Sequence, residues 1–156
     1  MHSWARWLVI SIVVIALDQL TKHWIVQAFV PGESLGLTPF FNLVLAYNTG
    51  AAFSLFAEAG GWQRAFFVAV AVIASTIILH LLRKHHGQTL FSVALSLILG
   101  GALGNLWDRI LLGKVVDFLD FYYAGHHWPA FNVADSAITV GAALLILDSF
   151  KKPAVK

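Results

Sequence analysis

Two aspartates sit in surroundings that make a free carboxylate expensive. Asp135 is the fifth residue of FNVADSAITVGAALLIL (Phe131 to Leu147), a run apolar enough to lie in lipid, where a charge near the bilayer centre costs roughly 2.5 to 3.5 kcal/mol on the insertion scale. Asp117, in VVDF, is likewise flanked by apolar residues. Two carboxylates held together in such a place cannot both ionise readily. One keeps a proton and the other acts as a base, so the pair can activate a water and then protonate a leaving amine. On position alone Asp117 is the best partner for Asp135. A purely structural pairing of Asp135 with Arg109 or Lys22 carries equal weight, because both bases fall at the same depth.

Other routes to attack on a peptide bond in a water-poor place find less support. A zinc enzyme would show H-E-x-x-H or an equivalent ligand cluster, but no His here precedes a Glu, and the seven histidines occur as singles and two His-His pairs. His85 and His86 fall in one loop and His126 and His127 in another, so no metal site is expected. G-x-S-x-G is absent, and no Ser has an evident Lys or His partner. The chain has no cysteine, which excludes thiol chemistry and disulfides.

The elements that must carry these acids are membrane helices. Of the 156 residues 59% are hydrophobic and only 12% charged, against about 25% charged in soluble domains. Four stretches approach the roughly 17 to 25 residues a spanning helix needs: Trp7 to Phe29, Ala65 to Leu82, Thr89 to Trp107 and Phe131 to Leu147. The expected fold is thus an all-α membrane protein of four transmembrane helices in a single domain, residues 1–156. The first span follows Arg6 but has no small-residue cleavage site after it, so it is read as retained rather than as a signal peptide.

With four spans, both termini and the loop RKHHGQ share one side. That side holds Arg6, Arg83, Lys84, Lys151, Lys152 and Lys156, six of the ten basic residues, and the positive-inside rule makes it cytoplasmic, N-in and C-in. Seven of the eight acids then fall in the outer half, with Asp148 alone inside. Asp18, late in an outward helix, and Asp135, early in an inward one, reach the same outer interface.

Within the first span, Asp18 and Lys22 are four residues apart and can pair on one helical face. The third span holds Gly100 and Gly104, a small-xxx-small pair that admits a close neighbour, followed one turn on by Asn105, Asp108 and Arg109. In the first outer segment, aromatic and β-branched runs around a turn at Asn48, Thr49 and Gly50 suggest a small sheet on the membrane. Read alone, Asn48 is a turn residue. The segment between the third and fourth spans reads as an aromatic outer loop, with Asp120 on its solvated face.

As a set, LDQLTK, AYNTGAAFS, GALGNLWDR, VVDF and FNVADS, in this order on these elements, make the chain resemble the lipoprotein signal peptidase family, the bacterial type II signal peptidases, over nearly its whole length. That resemblance implies an aspartic endopeptidase of the bacterial inner membrane, with its active site near the outer face. Its substrate would be a prolipoprotein whose cysteine already carries diacylglycerol, cut just before that cysteine. Carried over by motif, Asp117 and Asp135 form the catalytic dyad. Asn48, Asn105, Asp108, Arg109 and Asn132 order the site or hold substrate, and Asp18 and Lys22 form a more structural pair. The outer sheet becomes a substrate cradle. No cofactor or metal, no nucleic acid and no obligate protein partner is expected; membrane phospholipid is. The alternative, a small proton-coupled carrier or channel component, would distribute acids across the whole depth of the membrane. A scaffold subunit packing through Gly100 and Gly104 is a third reading.

Overall fold

The computed structural model describes residues 3–50 and 62–150. A 3-10 turn, Ala5–Trp7, leads into α1 (Leu8–Ala28); the hairpin β1 (Ser34–Thr38) and β2 (Phe41–Asn48) follows, then α2 (Trp62–His85), α3 (Thr89–Leu112), β3 (Val115–Tyr123), β4 (His126–His127) and α4 (Val133–Ser149). Three helices, spanning Ala5–Ala28, Trp62–His85 and Thr89–Leu112, are long and apolar enough to cross a membrane. At 17 residues, α4 is at the short end of the spanning range. Large side chains such as Ile12, Leu20, Ile73 and Ile77 face outward, as expected where lipid replaces water as solvent.

Helix α3 is the hub, packing against α1, α2 and α4. Its glycines permit this. A Cβ on Gly101 would run into the carbonyl oxygen of Ala134 and lie 2.7 Å from Ile138 Cγ1; one on Gly104 would lie 2.7 Å from Asp18 Oδ2. The small-residue pair expected in the third span is therefore one part of a longer stripe, which brings α4 on one side and the Asp18 carboxylate on the other against the backbone of α3. At the opposite end of the molecule Trp7 Nε1 donates to His86 O at 3.0 Å, so the start of α1 and the α2–α3 connection lie together.

The four strands form one sheet in the order β1-β2-β3-β4, and here the outcome departs from expectation. The segment read as an outer loop contains β3, nine residues long and paired antiparallel with β2, Asn42 opposite Asp120 and Ala46 opposite Asp117. Valines and aromatics suit a half-buried pleated surface, but their partner lies some seventy residues upstream, outside any local reading. At the expected turn, β2 ends at Asn48 and the chain bends at Thr49 and Gly50. Asn48 Oδ1 does accept from Gly50 N at 2.9 Å, yet β2 forms its hairpin with β1, before it. The extended run expected after Gly50 lies outside the described residues.

Side-chain alternation along β3 sets the function of the sheet. Val116 and Phe118 pack with Ile25, Phe29 and Leu45 in a buried cluster between α1 and the sheet. Asp117, between them, faces the other way. A left-handed Gly113 ends α3, and β3 begins two residues later, so the Asp117 side chain is delivered close to the C-terminal end of α3. Because α3 and α4 meet backbone to backbone, Gly101→Ala is expected to destabilise by about 1–3 kcal/mol through overpacking. Gly87→Ala, in open space, should leave the melting temperature in detergent unchanged.

Candidate active site

Helix α4 starts at the point where the site lies, and the reason is local. Asn132 is its N-cap: Asn132 Oδ1 accepts from Asp135 N at 2.9 Å, and Asp135 Oδ2 accepts from Asn132 N at 3.3 Å. This is a reciprocal capping box with Asp in the third helical position, where the helix dipole also favours negative charge. A second orphan N–H of the same turn, that of Ala134, donates to Asp18 Oδ1 of α1 at 2.9 Å.

Asp117 reaches the same place from β3. Its Oδ1 accepts from Asn132 Nδ2 at 2.7 Å and its Oδ2 from Asn48 Nδ2 at 3.1 Å. Asp135 Oδ1 accepts from Asn105 Nδ2 at 2.7 Å. One residue, Asn132, therefore touches both aspartates, Asp117 through its side-chain amide and Asp135 through both its backbone N–H and its side-chain oxygen. Asn105 and Asn132 are themselves joined, Asn132 Nδ2 donating to Asn105 Oδ1 at 3.2 Å.

Behind the amides lies a buried charge cluster. Lys22 Nζ is 2.8 Å from Asp18 Oδ2 and 2.9 Å from Asp108 Oδ2, and donates to Asn105 Oδ1 at 3.0 Å; all three ionic side chains are at most 3% exposed. Asp108 Oδ2 also accepts from Val116 N at 3.1 Å, holding the strand one residue before Asp117. The Asp18–Lys22 pair expected from the i, i+4 spacing is formed. Lys22 pairs with Asp18 and Asp108, and its contact with Asp135 runs through Asn105. Arg109 Nη2 donates to Gly50 O at 3.1 Å, and its guanidinium lies over the Phe67 ring.

Both aspartates border one cavity of about 560 Å³, inside the usual range for small-molecule sites of roughly 300–1,000 Å³. Asn48, Asn105 and Arg109 line it as well; residues Trp128 to Phe131 form one wall, and it continues down α4 past Ile138 and Val140. The Asp117 carboxyl is pushed up to about 7, chiefly by burial and then by the neighbouring Asp135 charge, against the opposing pull of its amide donors and Lys22.

All nine residues singled out by motif thus converge on one region. Asp120 differs from expectation: it is buried, not solvated, accepting from Asn42 Nδ2 at 2.8 Å and facing His127 Nδ1 at 2.9 Å. Pairing of β3 with β2 turns it inward, an effect that composition could not reveal. Gln19, adjacent to Asp18, had no assigned role, yet its Nε2 contacts Asp18, Gly104 O and Asp108 Oδ1. The Trp128 to Phe131 wall carried no signal, being brought in by the Phe131 pairing with Leu119.

The fold is that of a membrane enzyme: two solved bacterial membrane enzymes, both determined by the in meso method, superpose with TM-scores of 0.83 at 33% identity, covering 97% and 96% of this chain and 95% of each of theirs. A family model described as Signal peptidase (SPase) II matches residues 10–151, and the chain belongs to that family. It is accordingly a peptidase. Relatives include the lipoprotein signal peptidase of Ralstonia nicotianae, 58% identical over 97% of this chain and 87% of its own length. That of Cupriavidus taiwanensis is 58% identical over 94% and 83%.

The Asp117 shift has a consequence for stability. An unfolded Asp titrates near pH 4, whereas folded Asp117 titrates at about 7. Between these values only the folded state holds the proton, so its contribution to stability is complete below about pH 4 and lost as pH rises through about 7. Melting temperatures across this window should decline in the wild type and decline less in Asp117→Asn.

Proposed function

We propose that the chain removes signal peptides from prolipoproteins as a metal-free aspartic endopeptidase, with Asp117 and Asp135 as the catalytic dyad. The observation that carries this reading is that a buried carboxylate on a strand, Asp117, and a half-buried one at a helix start, Asp135, border one cavity and are bridged by Asn132. Of the two, Asp117 is the proton carrier, because its carboxyl stays neutral to about pH 7. Asp135, held by Asn105 and the capping box, is the ionised base. It takes a proton from a water lodged between the two side chains as that water attacks the scissile carbonyl. Asp117 supports the developing oxyanion by its own proton, and the leaving amine is then protonated from the pair.

Arg109 and Asn48 border the cavity beside the dyad and hold the substrate backbone. The apolar channel along α4 accommodates the diacylglyceryl chains on the substrate cysteine, whose burial supplies binding energy of about 25 cal/mol per Å², and cleavage falls just before that cysteine. On this reading α4 also crosses the bacterial inner membrane, tilted or with its ends near the headgroups. The protein is then N-in and C-in, with the dyad near the outer face and the sheet cradling the substrate there. The proton-carrier alternative is not favoured: the buried ionisable groups Asp18, Lys22, Asp108 and Asp117 gather at one end rather than forming a chain through the bilayer.

In a reconstituted assay with a diacylglyceryl-modified prolipoprotein, Asp117→Asn and Asp135→Asn are each expected to lower kcat by about 10²–10⁴-fold, and a chelator should have no effect. Near-wild-type turnover in either variant, or loss of activity on chelation, would refute the dyad. The pH profile of kcat should be bell-shaped, its limbs belonging to the pair, with the alkaline limb near pH 7.

A further inference from the structure

Lys22 does more than neutralise Asp18. A lysine ammonium has three hydrogens, and here it has three acceptors, each gripping a different support of the dyad. Asp18 accepts the Ala134 N–H and so pins the first turn of α4, one residue before Asp135. Asp108 accepts the Val116 N–H and pins β3, one residue before Asp117. The third acceptor, Asn105 Oδ1, belongs to the amide whose Nδ2 donates to Asp135.

A primary amide beside a carboxylate has two orientations, one donating and one presenting an oxygen that repels it. Asn105 Oδ1 faces two donors, Lys22 Nζ at 3.0 Å and Asn132 Nδ2 at 3.2 Å. A flipped amide would set its NH₂ against both, so the charged donor on Lys22 holds Nδ2 toward Asp135 Oδ1 at 2.7 Å. Charge-assisted hydrogen bonds are roughly twice as strong as neutral ones.

We propose that Lys22 is a positioning residue for the hydrolysis: through Asn105 it fixes the amide orientation that holds Asp135 as the base, and through Asp18 and Asp108 it sets the separation of the two aspartates. This inference rests on the dyad reading given above. A displaced catalytic group can lower a rate by about 100-fold with binding intact, which sets the scale of the expected effect.

The test is steady-state kinetics of Lys22→Met on the prolipoprotein substrate, with folding checked by melting temperature and gel filtration. The expected result is a kcat lower by about 100-fold at unchanged KM. The alkaline limb of the pH profile should also move to higher pH, because the ammonium favours ionised Asp117. A purely structural role would lower the fraction of folded enzyme and leave kcat per folded molecule unchanged. Wild-type kcat, a loss carried by KM, or an unmoved limb in folded enzyme overturns the proposal. Should Lys22→Met not fold, Lys22→Arg decides: it keeps the charge but replaces the compact three-donor head by a planar fork. A kcat about tenfold lower with KM and the alkaline limb unchanged supports the positioning role, and wild-type kcat contradicts it. Asp135→Asn serves as the control. Its full activity would sink the dyad itself, whereas an inactive Asp135→Asn beside fully active Lys22 variants would sink only the role of Lys22.

Discussion

An ammonium buried among two carboxylates and an amide is the constraint on which the rest of the site depends. Removing one partner of such a group leaves an uncompensated buried charge, at about 3–5 kcal/mol, so Asp18, Lys22 and Asp108 stand or fall as a unit. They lie on α1 and α3, and Asp18 Oδ1 and Asp108 Oδ2 accept backbone N–H groups of α4 and β3. The cluster thereby joins α1, α3, α4 and β3 behind the cavity. The charges that look most costly in this apolar chain are the ones that bring its strand and helices to a common point.

Proximity of this kind requires small residues. At Gly104 the Asp18 carboxylate lies where a side chain would otherwise stand, and at Gly101 the backbone of α4 does the same. Helix association in a membrane depends on such close packing, because lipid tails are as apolar as the helices themselves. The capping box then makes Asp135 part of the start of α4. Its carboxylate serves both the helix terminus and the cavity, so the side chain is held by backbone geometry rather than by a free rotamer. Asp117 is held instead by strand pairing and two amides, and burial keeps it protonated. Two like side chains are thus held by unlike supports, one by a strand and one by a helix start.

Much of this could be read in advance wherever the relevant pattern is local. The apolar runs mark the helices, the four-residue step from Asp18 to Lys22 marks their pair, and the small residues of GGALG mark a close approach. The depth argument also brought Asp18 and Asp135 to one level, and a hydrogen bond from Ala134 N to Asp18 now joins their neighbourhoods. What escaped was everything set by distant pairing. Strand β3 looked like a loop because its partner is β2, and Asp120 looked solvated because Asn42 is remote in sequence. Gln19 lies inside a quoted motif but gains its contacts only when α1 meets α3.

The central claim is that Asp117 and Asp135 hold one proton between them at neutral pH. Infrared difference spectroscopy of the substrate-free enzyme in lipid, titrated from pH 4 to pH 9, measures this through the C=O stretch of a protonated carboxyl group. The account predicts a single buried carboxyl band that disappears with a midpoint of about 7, is absent from Asp117→Asn and is shifted in Asp135→Asn. A spectrum with both carboxylates ionised throughout that range, or a band indifferent to either substitution, would contradict it.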